Sequence, residues 1–209
     1  MSDAPHTANP IPNILTGLRL VAGVVMFFIL TGAMGGVPIL SAYLTPQDQF
    51  TLYKIAFFLF VLAAATDWVD GFLARRWDST TRWGAILDPI ADKILVTGTI
   101  LGLLTSGTVA QIAIPAGLIL FREFAVSALR ETTAGRVSLP VTMLAKWKTT
   151  LQLVALGAQL VSLNWGVFGF ELQLQPAFQT FADLLLWAAA IVTLWTGWQY
   201  FDNARRQLS

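Results

Sequence analysis

The sequence contains no cysteine and a single histidine, His6. The absence of cysteine excludes disulfide bonds and thiolate metal sites, and it leaves the redox compartment undetermined. His6 lies in a polar N-terminal stretch, so the sequence argues against histidine-based catalysis. Charged residues are also scarce, at 12% of the 209 residues, against about 25% in an average soluble domain. The net charge of +1 is too small to indicate a nucleic-acid partner.

Apolar residues are correspondingly abundant. The sequence is 56% hydrophobic, and its mean hydropathy is +0.65. The length accommodates about six spanning helices of roughly 20 residues with short loops. The first apolar run lacks both a basic leading segment and a small-residue cleavage site, so we expect a retained helix. The composition therefore predicts an all-α integral membrane protein, a six-transmembrane-helix bundle.

Turn residues between the apolar runs place the expected elements. We predict a flexible tail over residues 1–12 and a single six-helix domain over residues 13–209. The six spans are expected at residues 13–33, 51–76, 84–106, 109–133, 141–163 and 177–201. Residues 34–50 are expected to form a loop, in which Pro46-Gln47-Asp48 marks a turn or a helix cap.

The basic residues predict the orientation. With the N-terminus in the cytosol, six spans place the C-terminus there too. Twelve of the thirteen Lys and Arg residues then fall on the cytosolic half, and Lys54 alone falls on the other. Such a bias follows the positive-inside rule. We therefore expect a multi-pass protein of a bacterial cytoplasmic membrane, with both termini and the active site on the cytosolic side.

Two aspartates lie on one face of the second predicted span. Asp67, Asp70, Gly71 and Ala74 follow one another at i, i+3, i+4 and i+7, which is the spacing of a helical stripe. The small residues in this stripe leave room for a ligand or a second backbone to approach.

The third predicted span carries a matching stripe of Gly84, Asp88 and Asp92, spaced four residues apart. A short connection makes the two spans antiparallel neighbours whose carboxylates can face each other. Four converging carboxylates repel unless a counter-charge is present, and two divalent cations supply it. Oxygen ligands favour Mg²⁺ first and Mn²⁺ second. The alternative is a set of aspartates that cap helices or pair with nearby Arg and Lys side chains.

The spacing of these residues resembles the signature of the CDP-alcohol phosphatidyltransferases at all eight fixed positions. In this sequence the signature reads Asp67-x2-Asp70-Gly71-x2-Ala74-Arg75-x8-Gly84-x3-Asp88-x3-Asp92. The resemblance implies a six-helix membrane enzyme, usually a homodimer, that uses two divalent metals. It also implies that the enzyme transfers a phosphatidyl group from a CDP-linked lipid to an alcohol and releases CMP.

The same resemblance implies a division of roles among the signature residues. Asp67, Asp70 and Asp88 are implied to bind metal, and Asp92, also near the metal, is implied to be the general base. The residues implied to seat the CDP moiety are Gly71, Ala74, Arg75 and Gly84. A carboxylate one turn from metal ligands is well placed to take the proton of an attacking hydroxyl.

Two further segments resemble the glycerophosphate branch of this family. The N-terminal Pro-Asn-x-Leu-Thr-x-x-Arg pattern implies that Asn13, Thr16 and Arg19 line the nucleotide or metal pocket. The alternative is a helix cap followed by a basic membrane anchor. A Lys-x-Lys-Thr-x2-Gln segment begins at Lys146 and includes Lys148; its alternative is an interfacial anchor.

The fourth predicted span carries Arg122 and Arg130 within an apolar run. Burying such charges costs about 2.5–3.5 kcal/mol each on insertion scales. With Lys146 and Lys148 they can form a cationic pocket that faces the aspartates and holds an acceptor bearing its own phosphate. The alternative is an Arg122–Glu123 or Arg130–Glu131 pair that braces the bundle.

These segments imply transfer from CDP-diacylglycerol to glycerol 3-phosphate, giving phosphatidylglycerophosphate and CMP. An inositol-phosphate acceptor is the nearest alternative because it also brings a phosphate. A divalent-cation transporter is the alternative outside the family, but it predicts acidic residues near the bilayer midplane on broken helices. Here the acidic residues cluster at the predicted cytosolic ends.

Overall fold

The computed structural model describes residues 11–77, 82–105, 109–133 and 143–208. Within these ranges the side chains at 11–12, 40–41, 67–77, 82–83, 85, 109–110 and 143–146 lie outside the description. The described residues are helical apart from short connections. The α-helices are α1 Ile11–Ala33, α2 Pro38–Ser41, α3 Pro46–Trp77, α4 Arg82–Leu104, α5 Val109–Thr132, α6 Met143–Leu163 and α7 Gln175–Leu208. A 3-10 turn at Leu172–Leu174 precedes α7.

The six long helices coincide with the six predicted spans, and their ends differ from the prediction. The first helix begins at Ile11, within the segment predicted to be a tail. The last helix continues to Leu208, and in its final turns Arg206 is paired with Asp202 at 2.8 Å.

The prediction of a loop over residues 34–50 is wrong in two places. A short helix forms at Pro38–Ser41, and α3 already begins at Pro46. Thr45 and Asp48 explain the early start, because the backbone N–H of each is bonded to the side chain of the other, at 2.9 Å and 3.3 Å. This is a capping box in which Asp replaces the usual Glu, with Pro46 at the first helical position. The helix cap predicted at Pro46-Gln47-Asp48 is therefore confirmed.

Helix α1 packs along both α3 and α4, and α7 packs along both α5 and α6. The sequence predicts α3 and α4 as direct neighbours, but within the described residues α1 makes far more extensive contact with each than they make with each other. The core between the helices contains Met26, Leu30, Phe60, Leu95, Ile119, Leu156, Leu160 and Leu186.

Two glycines bring the backbones of α1 and α4 together. A Cβ placed on Gly98 would lie 2.5 Å from the carbonyl oxygen of Gly23. A Cβ placed on Gly23 would lie 2.9 Å from the backbone nitrogen of Leu95. Small residues at helix crossings allow this close approach, as they do at many membrane helix interfaces. The crossing sets the register in which the N-terminal half of α1 faces the start of α4.

Four segments of the described residues are long and apolar enough to cross a membrane: Asn13–Ala33, Pro46–Thr66, Gln111–Thr132 and Leu172–Leu208. Large apolar side chains, including Phe28, Phe58, Phe121 and Leu184, are exposed on their outer faces. Exposed apolar surface of this extent is typical of contact with lipid. The all-helical fold is therefore consistent with an integral membrane protein. The count of six spans stays a prediction.

Candidate active site

The first part of the site lies where α1 faces the start of α4. The hydroxyl of Thr16 donates to Oδ1 of Asp88 at 2.5 Å. Nη1 of Arg19 donates to Oδ1 of Asp92 at 2.8 Å, and the Arg19 side chain is fully buried while that of Asp92 is 38% exposed. A charged donor makes a stronger hydrogen bond than a neutral one and fixes the carboxylate it contacts. Two residues predicted to line the pocket therefore hold two of the predicted site carboxylates.

The other two predicted aspartates lie on α3, which is continuous from Pro46 to Trp77. Asp67 and Asp70 therefore keep the helical spacing that places them on one stripe. The structure describes only the helical backbone of Asp67, Asp70, Gly71, Ala74 and Arg75. Convergence of all four carboxylates stays a prediction. On α4, Gly84 is buried, and Asn13 on α1 is partly buried.

A polar cavity of about 220 Å³ opens next to Asp92. Its walls come from α4, α5, α6 and α7, and they include Asp92, Arg122, Arg130, Lys148 and Tyr200. Three of the four predicted acceptor-binding cations therefore line one cavity with the predicted base. The fourth, Lys146, has a side chain outside the described residues.

Glu123 is the counter-ion within this basic cavity. Its Oε1 accepts hydrogen bonds from Nη1 of Arg122 at 3.3 Å and from Nε2 of Gln152 at 3.2 Å, and it forms an ion pair with Nζ of Lys148. The Arg122–Glu123 pair that the sequence offered as an alternative is thus present, but Lys148 joins it from α6. A bracing role and a binding role therefore involve the same side chains.

Helix α7 contributes Tyr200 to the lining of the cavity, together with two threonines that bond to lining residues, and sequence reasoning missed all three. Thr193, Thr196 and Tyr200 lie at i, i+3 and i+7, on one buried face of α7. Thr193 accepts from Nε2 of Gln152 at 2.7 Å, and Thr196 accepts from Nη2 of Arg122 at 3.1 Å. The only sequence signal was a polar stripe on an apolar helix, and neutral Thr and Tyr residues make such a stripe easy to overlook.

The chemistry of the donors at α4 fits a hard divalent cation. Carboxylate oxygens of Asp88 and Asp92 lie at the same end of the bundle, and the chain offers no thiolate. Mg²⁺ and Mn²⁺ prefer such oxygen donors. Among the residues that the structure describes, no three acidic, His or Cys side chains form a group able to hold a metal. A metal site that also includes Asp67 and Asp70 from α3 stays a prediction.

The fold and the site together define an all-helical protein with membrane-spanning character, in which a carboxylate pair meets a cationic cavity. The family model described as CDP-alcohol phosphatidyltransferase matches residues 9–195, and the chain belongs to this family. It is therefore a phosphatidyltransferase enzyme of a metal-dependent family.

Curated relatives agree with this assignment. A protein of Haemophilus influenzae named CDP-diacylglycerol–glycerol-3-phosphate 3-phosphatidyltransferase is 39% identical over 72% of this chain and 77% of its own length. A protein of the same name from Cereibacter sphaeroides is 37% identical over 93% of this chain and 95% of its own length. Another from Rickettsia bellii is 45% identical over 71% of this chain and 77% of its own length.

Proposed function

We propose that this enzyme transfers the phosphatidyl group of CDP-diacylglycerol to sn-glycerol 3-phosphate, forming phosphatidylglycerophosphate and CMP. The observation that carries the proposal is the cavity bordered by Asp92 on one side and by Arg122, Arg130 and Lys148 on the others. An acceptor with a phosphate at one end and a hydroxyl at the other matches this division of charge. The relatives carry the name of the same reaction.

The residues of the cavity suggest how the acceptor is used. Arg122, Arg130, Lys146 and Lys148 hold the acceptor phosphate, since cations recognise phosphate oxygens through charge-assisted hydrogen bonds. The free hydroxyl then points toward Asp92, which accepts its proton as the oxygen attacks the phosphatidyl phosphorus. The bond from that phosphorus to the CMP oxygen breaks, and CMP leaves. Arg19 orients the Asp92 carboxylate through the 2.8 Å hydrogen bond.

Asp67, Asp70, Asp88 and Asp92 are proposed to hold two Mg²⁺ ions, with Mn²⁺ as a possible substitute. Bound divalent ions neutralise charge on the phosphates and stabilise the departing CMP. The CDP-lipid is proposed to contact Asn13, Thr16, Arg19, Gly71, Ala74, Arg75 and Gly84. Of these, Thr16 and Arg19 are buried and bonded to site carboxylates, so they also act by placing those carboxylates.

The membrane arrangement proposed for this enzyme is a single six-helix domain over residues 13–209 with both termini in the cytosol. Helices α4 and α6 have 23 and 21 residues, which is long enough to complete six spans. The excess of Lys and Arg at the active-site side supports a cytosolic active site in the bacterial inner membrane. The enzyme is proposed to work as a homodimer, which cross-linking in native membranes can test.

Purified protein in detergent, supplied with CDP-diacylglycerol, Mg²⁺ and a panel of acceptors, tests the function by CMP release. We expect release with glycerol 3-phosphate and little with glycerol, serine or inositol. Release with an inositol phosphate but not with glycerol 3-phosphate would reverse the choice of acceptor. No release with any acceptor would contradict the proposed reaction. Chelation followed by titration with Mg²⁺ or Mn²⁺ tests the choice of metal.

A further inference from the structure

Tyr200, on the last turns of α7, contacts both guanidinium groups of the basic cavity. Its hydroxyl accepts a hydrogen bond from Nη2 of Arg130 at 2.8 Å. The Cζ atoms of Arg130 and Arg122 lie 4.8 Å and 5.7 Å from the centroid of its ring. Both distances fall within the roughly 6 Å range of cation–π attraction. Tyr200 is buried, so one side chain from α7 contacts two cations carried by α5.

The two arginines differ in how much else restrains them. Arg122 is buried and also donates to Glu123 and Thr196. Arg130 is exposed, and within the described part of the chain the hydrogen-bond partner of its guanidinium is Tyr200. An exposed arginine has many accessible rotamers, and ordering it costs conformational entropy. Tyr200 is therefore the group that restricts Arg130 to the wall of the cavity.

Family membership does not supply this role. The match to the family model ends at residue 195, so Tyr200 lies beyond it. Tyr200 lines the same cavity as Asp92 and Lys148. A tyrosine in this position cannot replace a metal ligand or a base, since it faces the cations. Because Tyr200 contacts these cations, it can act on the acceptor phosphate that they are proposed to hold.

We propose that Tyr200 is a positioning residue for binding of the acceptor phosphate. By holding Arg130 against Arg122 it sets the spacing at which the two guanidinium groups bind the acceptor phosphate. This inference rests on the proposed function, because it assigns Tyr200 to the glycerol 3-phosphate subsite of that reaction. A tyrosine that only fills space between α5 and α7 would affect stability and both substrates alike.

Tyr200→Phe separates these two roles because it keeps the ring and removes the hydroxyl. Loss of a hydrogen bond from a charged donor should raise the KM for glycerol 3-phosphate about tenfold. We expect kcat and the KM for CDP-diacylglycerol to stay within about twofold of wild type, with an unchanged melting temperature. Tyr53→Phe is the matched control, since the Tyr53 hydroxyl donates to Sδ of Met34 at 2.9 Å, away from the cavity.

A double-mutant cycle with Arg130→Gln tests whether Tyr200 acts through Arg130. If it does, adding Tyr200→Phe to Arg130→Gln should change the KM for glycerol 3-phosphate little further, because coupled residues are not additive. Fully additive effects would overturn the proposal. An unchanged KM in Tyr200→Phe alone, or an equal loss for both substrates with a lower melting temperature, would also overturn it.

Calorimetric titration with glycerol 3-phosphate or inorganic phosphate gives a readout that does not depend on turnover. Weaker binding of either anion to Tyr200→Phe than to wild type supports the role of Tyr200, and equal binding contradicts it. If wild type binds glycerol 3-phosphate but releases no CMP from it, the proposed function fails while the role in anion binding stands. The two failures are therefore distinguishable.

Discussion

Arg19 on α1 and Asp92 on α4 are 73 residues apart in sequence and are joined by a 2.8 Å ion pair in the structure. The arginine is fully buried, and the carboxylate is 38% exposed toward the cavity. Removing a charge from water is costly unless a partner compensates it. The pair therefore fixes one oxygen of Asp92 from inside the bundle and leaves the side chain accessible from the cavity.

Arg19→Gln tests this relationship. Losing a charge-assisted hydrogen bond of this kind costs about 1.5–3 kcal/mol, so kcat for CMP release should fall about tenfold or more. Arg206→Gln is the matched control, because Arg206 and Asp202 are also 2.8 Å apart but Arg206 is exposed. Exposed ion pairs contribute little, so the control should retain wild-type turnover. Equal losses in the two variants would remove the special role of Arg19.

Asp92→Asn tests the proposed base. Asparagine keeps the size of the side chain and cannot accept the hydroxyl proton, so turnover should be abolished. The fold and much of the affinity for CDP-diacylglycerol should persist, which a binding measurement on the purified variant can check. Asp202→Asn, at the partly exposed carboxylate of the surface pair with Arg206, is the control. Near-normal CMP release by Asp92→Asn would show that another group takes the proton.

The pattern of apolar runs made much of this fold predictable. The six long helices end within two residues of their predicted ends, except that α3 begins five residues earlier and α7 ends seven residues later. The expectation that Thr16 and Arg19 lie at the pocket came from the family resemblance. The neighbourhood of α1 was not predictable, since Gly23 and Gly98 make a close crossing only once the two helices are placed together. In the sequence these are two glycines in separate apolar runs, and no local pattern indicates that they meet.

The contribution of α7 to the site was also not predicted, because it depends on contacts between helices. Arg122 and Lys148 are recognisable in the sequence because a charge is unusual in an apolar run. Thr196 and Tyr200 become functional candidates only through their hydrogen bonds to residues on α5. The same holds for Glu123, whose immediate sequence neighbour suggested a local pair. Its contact with Lys148, 25 residues further along the chain, depends on how α5 and α6 pack.

Gly98→Ala tests the crossing of α1 and α4. The new Cβ would lie 2.5 Å from the Gly23 carbonyl oxygen, so the helices must separate. Overpacking of this kind typically costs about 1–3 kcal/mol, and the melting temperature in detergent should fall. Gly17→Ala is the control, since a Cβ there meets nothing within 4 Å. If both variants have the melting temperature of wild type, backbone contact at Gly98 does not set the register of α1 and α4.

Lys148→Ala tests the cationic cavity. Lys148 is buried and lines the cavity with Arg122, so its loss should raise the KM for glycerol 3-phosphate about tenfold or more and affect CDP-diacylglycerol less. Lys54→Ala, at an exposed position on α3, is the control. Kinetics at varied acceptor concentration distinguish the roles. Unchanged acceptor affinity would return Lys148 to the membrane-anchor interpretation.

Glu123→Gln should make the stability of the protein depend on an anion bound in the basic cavity. The substitution keeps the shape of the side chain but leaves Arg122 and Lys148 without their shared negative charge. An uncompensated buried charge is destabilising by about 3–5 kcal/mol, so the variant should melt well below wild type. Glycerol 3-phosphate or inorganic phosphate can replace the missing charge and should therefore raise its melting temperature more than that of wild type.

The control for this effect is Glu131→Gln, on an exposed position of the same helix. Its melting temperature should equal that of wild type, and phosphate should raise it by the same amount as in wild type. Chloride at equal ionic strength separates general screening from occupation of the cavity, since screening acts on exposed charges more than on buried ones. If phosphate stabilises Glu123→Gln no more than wild type, the cations paired with Glu123 are not the anion-binding groups. The cavity would then hold its charges for bracing alone.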